Sequence, residues 1–318
     1  MPWTEYQYPI SHRGGVLCFE LNEEKITMKK TTIVAFLLSF FCLVNLACNK
    51  TEVQKVKRLA ESGDASAQYN LASMYYNGEG VPQNYNEAIR WYKKAADQED
   101  AKAQGVLGSM YYEGLGVPQD YDEAMKWFKK AADQGDVSAQ FNLALMYEKG
   151  QGVPQNYNEA IKWYKKAADQ GYVIAQYNLA LMYDKGLGVP LNYGEAMKWY
   201  KKAAYQGHAD AQYFLGTMYI QGQGVPQNYT EATTWLKKAA EQGHADAQFI
   251  LGGLYYHGQG VLKSLKAAYV WWSIASESGD KTSKKNLETL SSEMTQQQIA
   301  QAQSEAAELW EQINKSKK

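Results

Sequence analysis

Six tryptophans, Trp91, Trp127, Trp163, Trp199, Trp235 and Trp271, follow one another at a constant interval of 36 residues. Leu71, Leu107, Leu143, Leu179, Leu215 and Leu251 keep the same interval, and so do the tyrosines from Tyr75 to Tyr255. A period of this length means that one supersecondary unit is copied along the chain and that each copy must stack on the next. Six units run from residue 64 to 279, and residues 53–63 supply a preceding half-unit.

Each unit carries two helical patterns. In the first, Ala67, Leu71, Met74, Tyr75 and Gly78 share one helical face; in the second, Ala88, Trp91, Tyr92, Ala95 and Ala96 do. Small residues opposite large ones let the helices approach closely while tryptophan fills the space between them. Neither helix can bury its apolar face alone. The turn between them is written in Gly150-Gln-Gly152-Val-Pro154. The glycines permit a positive φ, and the proline blocks continuation of the first helix. Asn156 is then placed to cap the second helix, with Glu159 three residues on to close a capping box. Lys165 and Lys166 lie in its last turn, where the helix dipole favours cations, and Gly171 stops it.

The unit resembles the Sel-1-like repeat, a relative of the tetratricopeptide repeat. The resemblance rests on Ala-Gln-x-x-Leu-(Gly/Ala)-x-Met-Tyr-x-x-Gly-x-Gly-Val-Pro followed by Ala-x-x-Trp-Tyr-Lys-Lys-Ala-Ala-x-x-Gly, and it covers residues 53–313. It implies an all-α α-solenoid, a right-handed superhelix of helix-turn-helix repeats. The last unit departs from the pattern at Leu262, Leu265 and Ala267, and residues 280–318 read as closing cap helices and tail. Within them Thr295 and Gln298 form a capping box, and Ile299, Ala302, Ala306, Leu309 and Ile313 share a face.

The N-terminus reads as an address. Residues 28–47 order two lysines, an apolar run from Ile33 to Leu43 and a small residue, Ala47, as a bacterial secretory signal does. The segment resembles a lipoprotein signal, which implies lipidation at Cys48 with residues 48–52 as a short tether. Plain secretion and an uncleaved inner-membrane anchor are the alternatives. Residues 1–27 read as an upstream mis-start or a disordered extension, with Met28 as the start. The expected location is therefore the periplasm or the outer membrane, with membrane contact only through the signal or lipid. Cys18, Cys42 and Cys48 are the three cysteines, so the repeats have no disulfide framework and no thiolate metal site.

Catalytic motifs are sparse. No His-Glu-x-x-His, Gly-x-Ser-x-Gly or phosphate-loop pattern occurs. The repeated Gly114-Leu-Gly116 type of pair follows a helix and reads as a turn. His208 and His244 occupy one column of adjacent repeats, as surface residues at helix starts or as a metal pair. Ser278-Gly-Asp-Lys281 matches the Ser-x-x-Lys of penicillin-recognising enzymes but lacks a Lys-Thr-Gly partner. Acidic and basic residues number 34 and 33, so no overall field draws nucleic acid, and acids beside the lysine pairs offset them. No cofactor is expected.

In the tetratricopeptide-like arrangement the first helices line the concave surface. The columns outside the fixed pattern then face a ligand: Tyr69, Tyr76, Tyr112, Phe141, Tyr177, Tyr213, Phe249 and Tyr256 are the candidate anchors, with neighbours that change in charge and size between repeats. Aromatic anchors ringed by polar residues suit a protein or peptide partner. The resemblance implies a non-enzymatic adaptor at the cell envelope. A β-lactam-binding or β-lactam-hydrolysing, cell-wall-active enzyme is the alternative that the cysteine-rich relatives of this repeat suggest.

Overall fold

The computed structural model describes residues 51–316; the signal-like segment, Cys48 and residues 1–27 lie outside them. All regular structure among the described residues is helical. A helix at 51–61 (α1) precedes six pairs. The first helices are α2 Ala65–Asn77, α4 Ala101–Glu113, α6 Val137–Lys149, α8 Val173–Lys185, α10 Ala209–Gln221 and α12 Ala245–His257. The second helices are α3 Tyr85–Asp97, α5 Tyr121–Asp133, α7 Tyr157–Asp169, α9 Tyr193–Tyr205, α11 Tyr229–Glu241 and α13 Leu265–Glu277. Helices α14, Lys281–Ser291, and α15, Gln296–Ser316, close the array by packing on α13. Each helix of a pair packs on its partner, and each second helix packs on the first helix of the following unit, so the architecture is an α-solenoid.

The core is the stack of Ala, Leu, Trp and Tyr columns that the periodicity marks out. Ala88, Trp91, Tyr92, Ala95 and Ala96 are all buried, as are their counterparts down the array except half-buried Ser276 in the last unit. A small residue on the first helix admits a large one from the second. Gly108 lies under Phe128, where an added Cβ would come within 2.6 Å of the ring, whereas Ala144 accompanies Tyr164. In the turn, Gly150 ends α6 at φ 68° and Gly152 has φ 72°. Gly152 also lies against the preceding repeat: a Cβ there would sit 2.8 Å from the Tyr121 carbonyl oxygen.

The caps differ from the sequence expectation in one respect. Asn156 Oδ1 accepts the Glu159 N–H at 3.2 Å, as expected. The return half of the capping box is not made, because the Asn156 N–H already donates to the Tyr147 carbonyl at 2.8 Å. The Glu159 carboxylate pairs instead with Lys162. The box at α15 is complete: the Thr295 N–H donates to Gln298 Oε1 at 2.9 Å and the Gln298 N–H to Thr295 Oγ1 at 3.3 Å. The helix-end lysines have a second role. Lys94, Lys130, Lys166, Lys202 and Lys238 place their ammonium groups 3.8–4.3 Å from the ring centres of the repeat tryptophans, a cation–π contact.

A buried glutamine joins the units. Gln104 on α4 donates to the Ala96 carbonyl of the preceding repeat at 3.1 Å and accepts from Gln134, the last-turn residue of its own repeat, at 2.8 Å. The same two bonds recur at Gln68, Gln140, Gln176 and Gln212. At Gln248 the series breaks. Its amide donates to the Ala240 carbonyl at 3.0 Å, but the position of the donor glutamine is Ser278, and Gln248 Oε1 is buried without a partner.

His208 and His244 prove to be helix N-caps, taking the place of Asp64, Asp100 and Asp136. Nδ1 of each accepts a backbone N–H, from Ala211 and Ala247, at 3.3 Å. An accepting Nδ1 is unprotonated, and protonation would also set a positive charge at the positive end of a helix dipole. Burial holds the His208 imidazole below the ordinary 6.5, against the opposing pull of Asp210.

Three outcomes are expected. Trp163→Ala, in mid-array, costs about 3–5 kcal/mol in denaturant titration. Ser278→Gln supplies the missing donor to Gln248 and raises stability by about 0.5–1.5 kcal/mol. His208 favours its neutral form in the fold, so its contribution is complete above the unfolded pKa of about 6.5 and is lost as pH falls through the lower folded value. Melting temperature therefore drops on acidification below that point, and His208→Asn, which keeps a capping oxygen, flattens this part of the profile.

Candidate functional interface

The columns that vary between repeats lie along one side of the first helices. The outermost, Ser66, Lys102, Ser138, Ile174, Asp210 and Asp246, are exposed, as are Asn77, Glu113, Lys149, Lys185, Gln221 and His257. The eight candidate aromatics lie between these and the core, and every one is half-buried. They are not free anchors but members of an aromatic layer. Tyr69 packs edge-on to Tyr92 at 5.5 Å, Tyr76 on Tyr85 and Tyr112 on Tyr121 at 5.3 Å. Phe141 contacts Tyr164 and Tyr172, while Tyr177 and Tyr213 stack on His208 and His244 at 4.7 and 4.4 Å. The Phe249 carbonyl accepts the Trp272 indole N–H at 3.0 Å, and the Tyr256 ring lies 5.6 Å from that indole.

Their polar tips reach along the array. Tyr112 donates its hydroxyl to Gln151 Oε1 in the next repeat at 2.8 Å, and Tyr256 donates to Glu293 in the cap at 2.8 Å. These ties give the Tyr112 and Tyr256 rings a fixed rim position while leaving part of each open to solvent.

Two acidic residues of the variable columns, expected from the sequence on the ligand-facing side, prove to be bound up with the core. Glu148 and Asp184 replace the tyrosine of the Tyr76–Tyr112 column in the third and fourth repeats. Glu148 accepts the hydroxyl of buried Tyr164, whose pKa is pushed up by burial first and by this carboxylate second. In the next repeat the buried Tyr200 hydroxyl faces the Asp184 carboxylate, and its pKa is pushed up by burial first and by this carboxylate second. Burial raises the Asp184 pKa. Both acids accompany a deeply buried second-helix tyrosine, Tyr164 or Tyr200, but the converse does not hold: buried Tyr92 of the first repeat has Tyr76 in that column, so the sequence alone carried no clear signal of the pairing.

The remaining candidates have structural roles. The Ser278 hydroxyl donates to the Ile274 carbonyl at 3.2 Å at the end of α13. His244 and His208 cap helices, and His244 Nε2 lies 3.4 Å from the exposed Asp210 carboxylate. Among the described residues no group of three or more His, Cys, Asp or Glu side chains is placed to hold a metal ion. No described helix is long and apolar enough to cross a membrane. The surface thus offers half-exposed rings, hydroxyls and single charges in register, an arrangement suited to binding an extended chain.

Comparison with known proteins agrees with this architecture. The Sel1 repeat family model matches residues 65–100, 101–136, 137–172, 173–208, 209–244 and 245–280. A curated relative, the secretory immunoglobulin A-binding protein EsiB of Escherichia coli O6:H1, is 35% identical over 67 residues, which is 21% of this chain and 14% of that protein. Among solved structures, a protective antigen present in uropathogenic Escherichia coli strains displaying an SLR fold superposes with TM-score 0.59 at 36% identity, covering 82% of this chain and 63% of the antigen. A Sel1 repeat protein from Oxalobacter formigenes gives TM-score 0.57 at 33% identity, covering 72% of this chain and 96% of that one. The chain spans less than two thirds of the antigen and a small part of EsiB. Six consecutive matches over 65–280, with the same helix pair in each, show that the chain belongs to the Sel1 repeat family.

Proposed function

We propose that the protein is a non-enzymatic scaffold that holds a protein or peptide partner on the variable side of its first helices. One observation carries this reading. Six copies of an unchanged frame present half-exposed columns whose charge and size differ from copy to copy. Repeat arrays use such extended surfaces for binding, and the aromatic layer supplies rings already held in place, which lowers the ordering cost of association. Proteins of this family typically serve as interaction scaffolds, and one relative is named for binding secretory immunoglobulin A. That match spans 14% of the relative, so the inference extends to protein binding and not to its partner.

The signal-like segment at residues 28–47 supports placement at the cell envelope. Lipidation at Cys48 would leave only Asn49 and Lys50 between the lipidated residue and α1, raising the effective concentration towards envelope partners. The alternative of a β-lactam-directed enzyme has its only motif in Ser278-Gly-Asp-Lys281, whose serine hydroxyl is engaged with the Ile274 carbonyl.

Capture from envelope extracts on immobilised residues 49–318 tests the assignment of the face. A partner retained by the native protein should be lost on Tyr112→Ala or Lys149→Glu and kept on Lys165→Ala, which alters the second-helix surface. Tyr112→Ala removes one inter-repeat hydrogen bond and the contact of a half-buried ring with Tyr121 and should cost about 1–2.5 kcal/mol, less than Trp163→Ala. Equal loss from both faces would refute the reading. A chromogenic lactam should not be turned over; turnover abolished by Ser278→Ala would establish the enzyme instead.

A further inference from the structure

The constant register lets each exposed residue be compared with its counterparts, and on the second-helix surface the fourth repeat stands apart. Asp97, Asp133, Asp169 and Glu241 end α3, α5, α7 and α11, each just after a pair of lysines. In α9 that acid is Tyr205, 68% exposed. Near the start of the same helix Gly194 stands where the others carry Asn86, Asp122, Asn158 and Thr230. Just before it, Leu191, 55% exposed, replaces the glutamine that in Gln83, Gln119, Gln155 and Gln227 donates to a carbonyl of the preceding first helix.

Between Gly194 and Tyr205 lies an open depression of about 480 Å3, with Met197 and Val225 among its apolar lining and Lys198, Lys201 and Lys202 at its edge. The corresponding hollow on the second repeat contains Glu123 and Asp133, and that on the fifth contains Glu241; the lining here holds no acid. Lys198 is paired with Glu195 at 3.4 Å. Lys201 and Lys202 instead lie over the rings of Tyr205 and Trp199, at 5.9 and 3.8 Å. An incoming anion has no internal carboxylate to displace from them. Tyr205 is itself braced edge-on against Trp235, at 5.1 Å and 85°.

We propose that this surface docks a short acidic segment of a protein partner, with carboxylates on Lys201 and Lys202 and an apolar side chain over Met197 and Val225 against Tyr205. Exposed aromatic and apolar surface beside uncompensated cations is the complement of such a segment. A long polyanion fits less well, because in the flanking repeats the lysine pairs Lys165–Lys166 and Lys237–Lys238 are followed by the helix-end acids Asp169 and Glu241. The site is on a different surface from the first-helix interface and does not depend on it.

Fluorescence anisotropy tests the proposal with a labelled synthetic peptide of aspartates and glutamates around a central leucine-phenylalanine pair. The amide analogue, with asparagine and glutamine throughout, serves as control. Tyr205→Asp and Gly194→Asn each restore what neighbouring repeats carry, so both variants are expected to fold. The native chain should bind the acidic peptide saturably. Affinity should fall about tenfold or more with Tyr205→Asp, with Gly194→Asn and with the amide peptide, as loss of an anchor residue or of charge complementarity implies. Absence of saturable binding, equal affinity for Tyr205→Asp, or equal affinity for the amide peptide would overturn it. So would tighter binding of a labelled single-stranded oligonucleotide that Tyr205→Asp abolishes. None of these results alters the Tyr112→Ala comparison, so the two surfaces stand or fall separately.

Discussion

Every unit of this array contains a polar requirement that its own two helices cannot meet. The glutamine buried at the start of each first helix brings a carboxamide into an alanine-lined interior, where an unpaired donor or acceptor costs about 1–3 kcal/mol. The donor half is satisfied by a carbonyl of the previous repeat and the acceptor half by the end of the repeat's own second helix. Apolar packing makes stacking favourable, but it tolerates sliding. A buried amide with one acceptable position on each side does not. The glutamine therefore sets which alanine faces which helix, and the hydrophobic columns then fall into register around it.

Much of the architecture was legible because a helix and a 36-residue period are both written in one dimension. Trp91 and its successors, the Gly-x-Gly-Val-Pro turns and the asparagine caps could be placed by counting. What counting could not supply was contact between residues distant along the chain. The half-made capping box is an example. Asn156 and Glu159 carry the right letters, yet the N–H that should complete the motif is taken by Tyr147, a carbonyl delivered by the turn's closure. Depth was similarly hidden. Periodicity assigned Tyr69, Tyr177 and Phe249 to a face but could not distinguish a ring on the surface from one packed against the core, because a helix in a stack meets neighbours on more than one side. His208 and His244 showed the same limit: their position at helix starts was visible, whereas their use as caps needed the geometry of Nδ1.

The two long surfaces divide the labour differently. On the first helices the variable aromatics are half-sunk and packed on neighbouring side chains, and Tyr112 is tied by its hydroxyl to the next repeat, so a change in such a residue reaches beyond its own position. Glu148 with Tyr164 and Asp184 with Tyr200 show how closely such exchanges are coupled to the core. On the second helices charges are largely balanced within each turn, as in the Lys126–Glu123 and Lys162–Glu159 pairs. A departure there, such as Tyr205, leaves the frame untouched.

The approach of Gly152 to the Tyr121 carbonyl has a further meaning. The same contact recurs where Gly116 meets Tyr85 and Gly224 meets Tyr193, with added carbons 2.6 Å from the carbonyl oxygen. Main chain rests on main chain at each junction, so the pitch from unit to unit is measured out by atoms that substitution cannot alter. Side chains on either flank are then free to diverge while the ruler beneath them stays the same length. An elongated guest would find its footholds at fixed intervals, whatever residues came to occupy them.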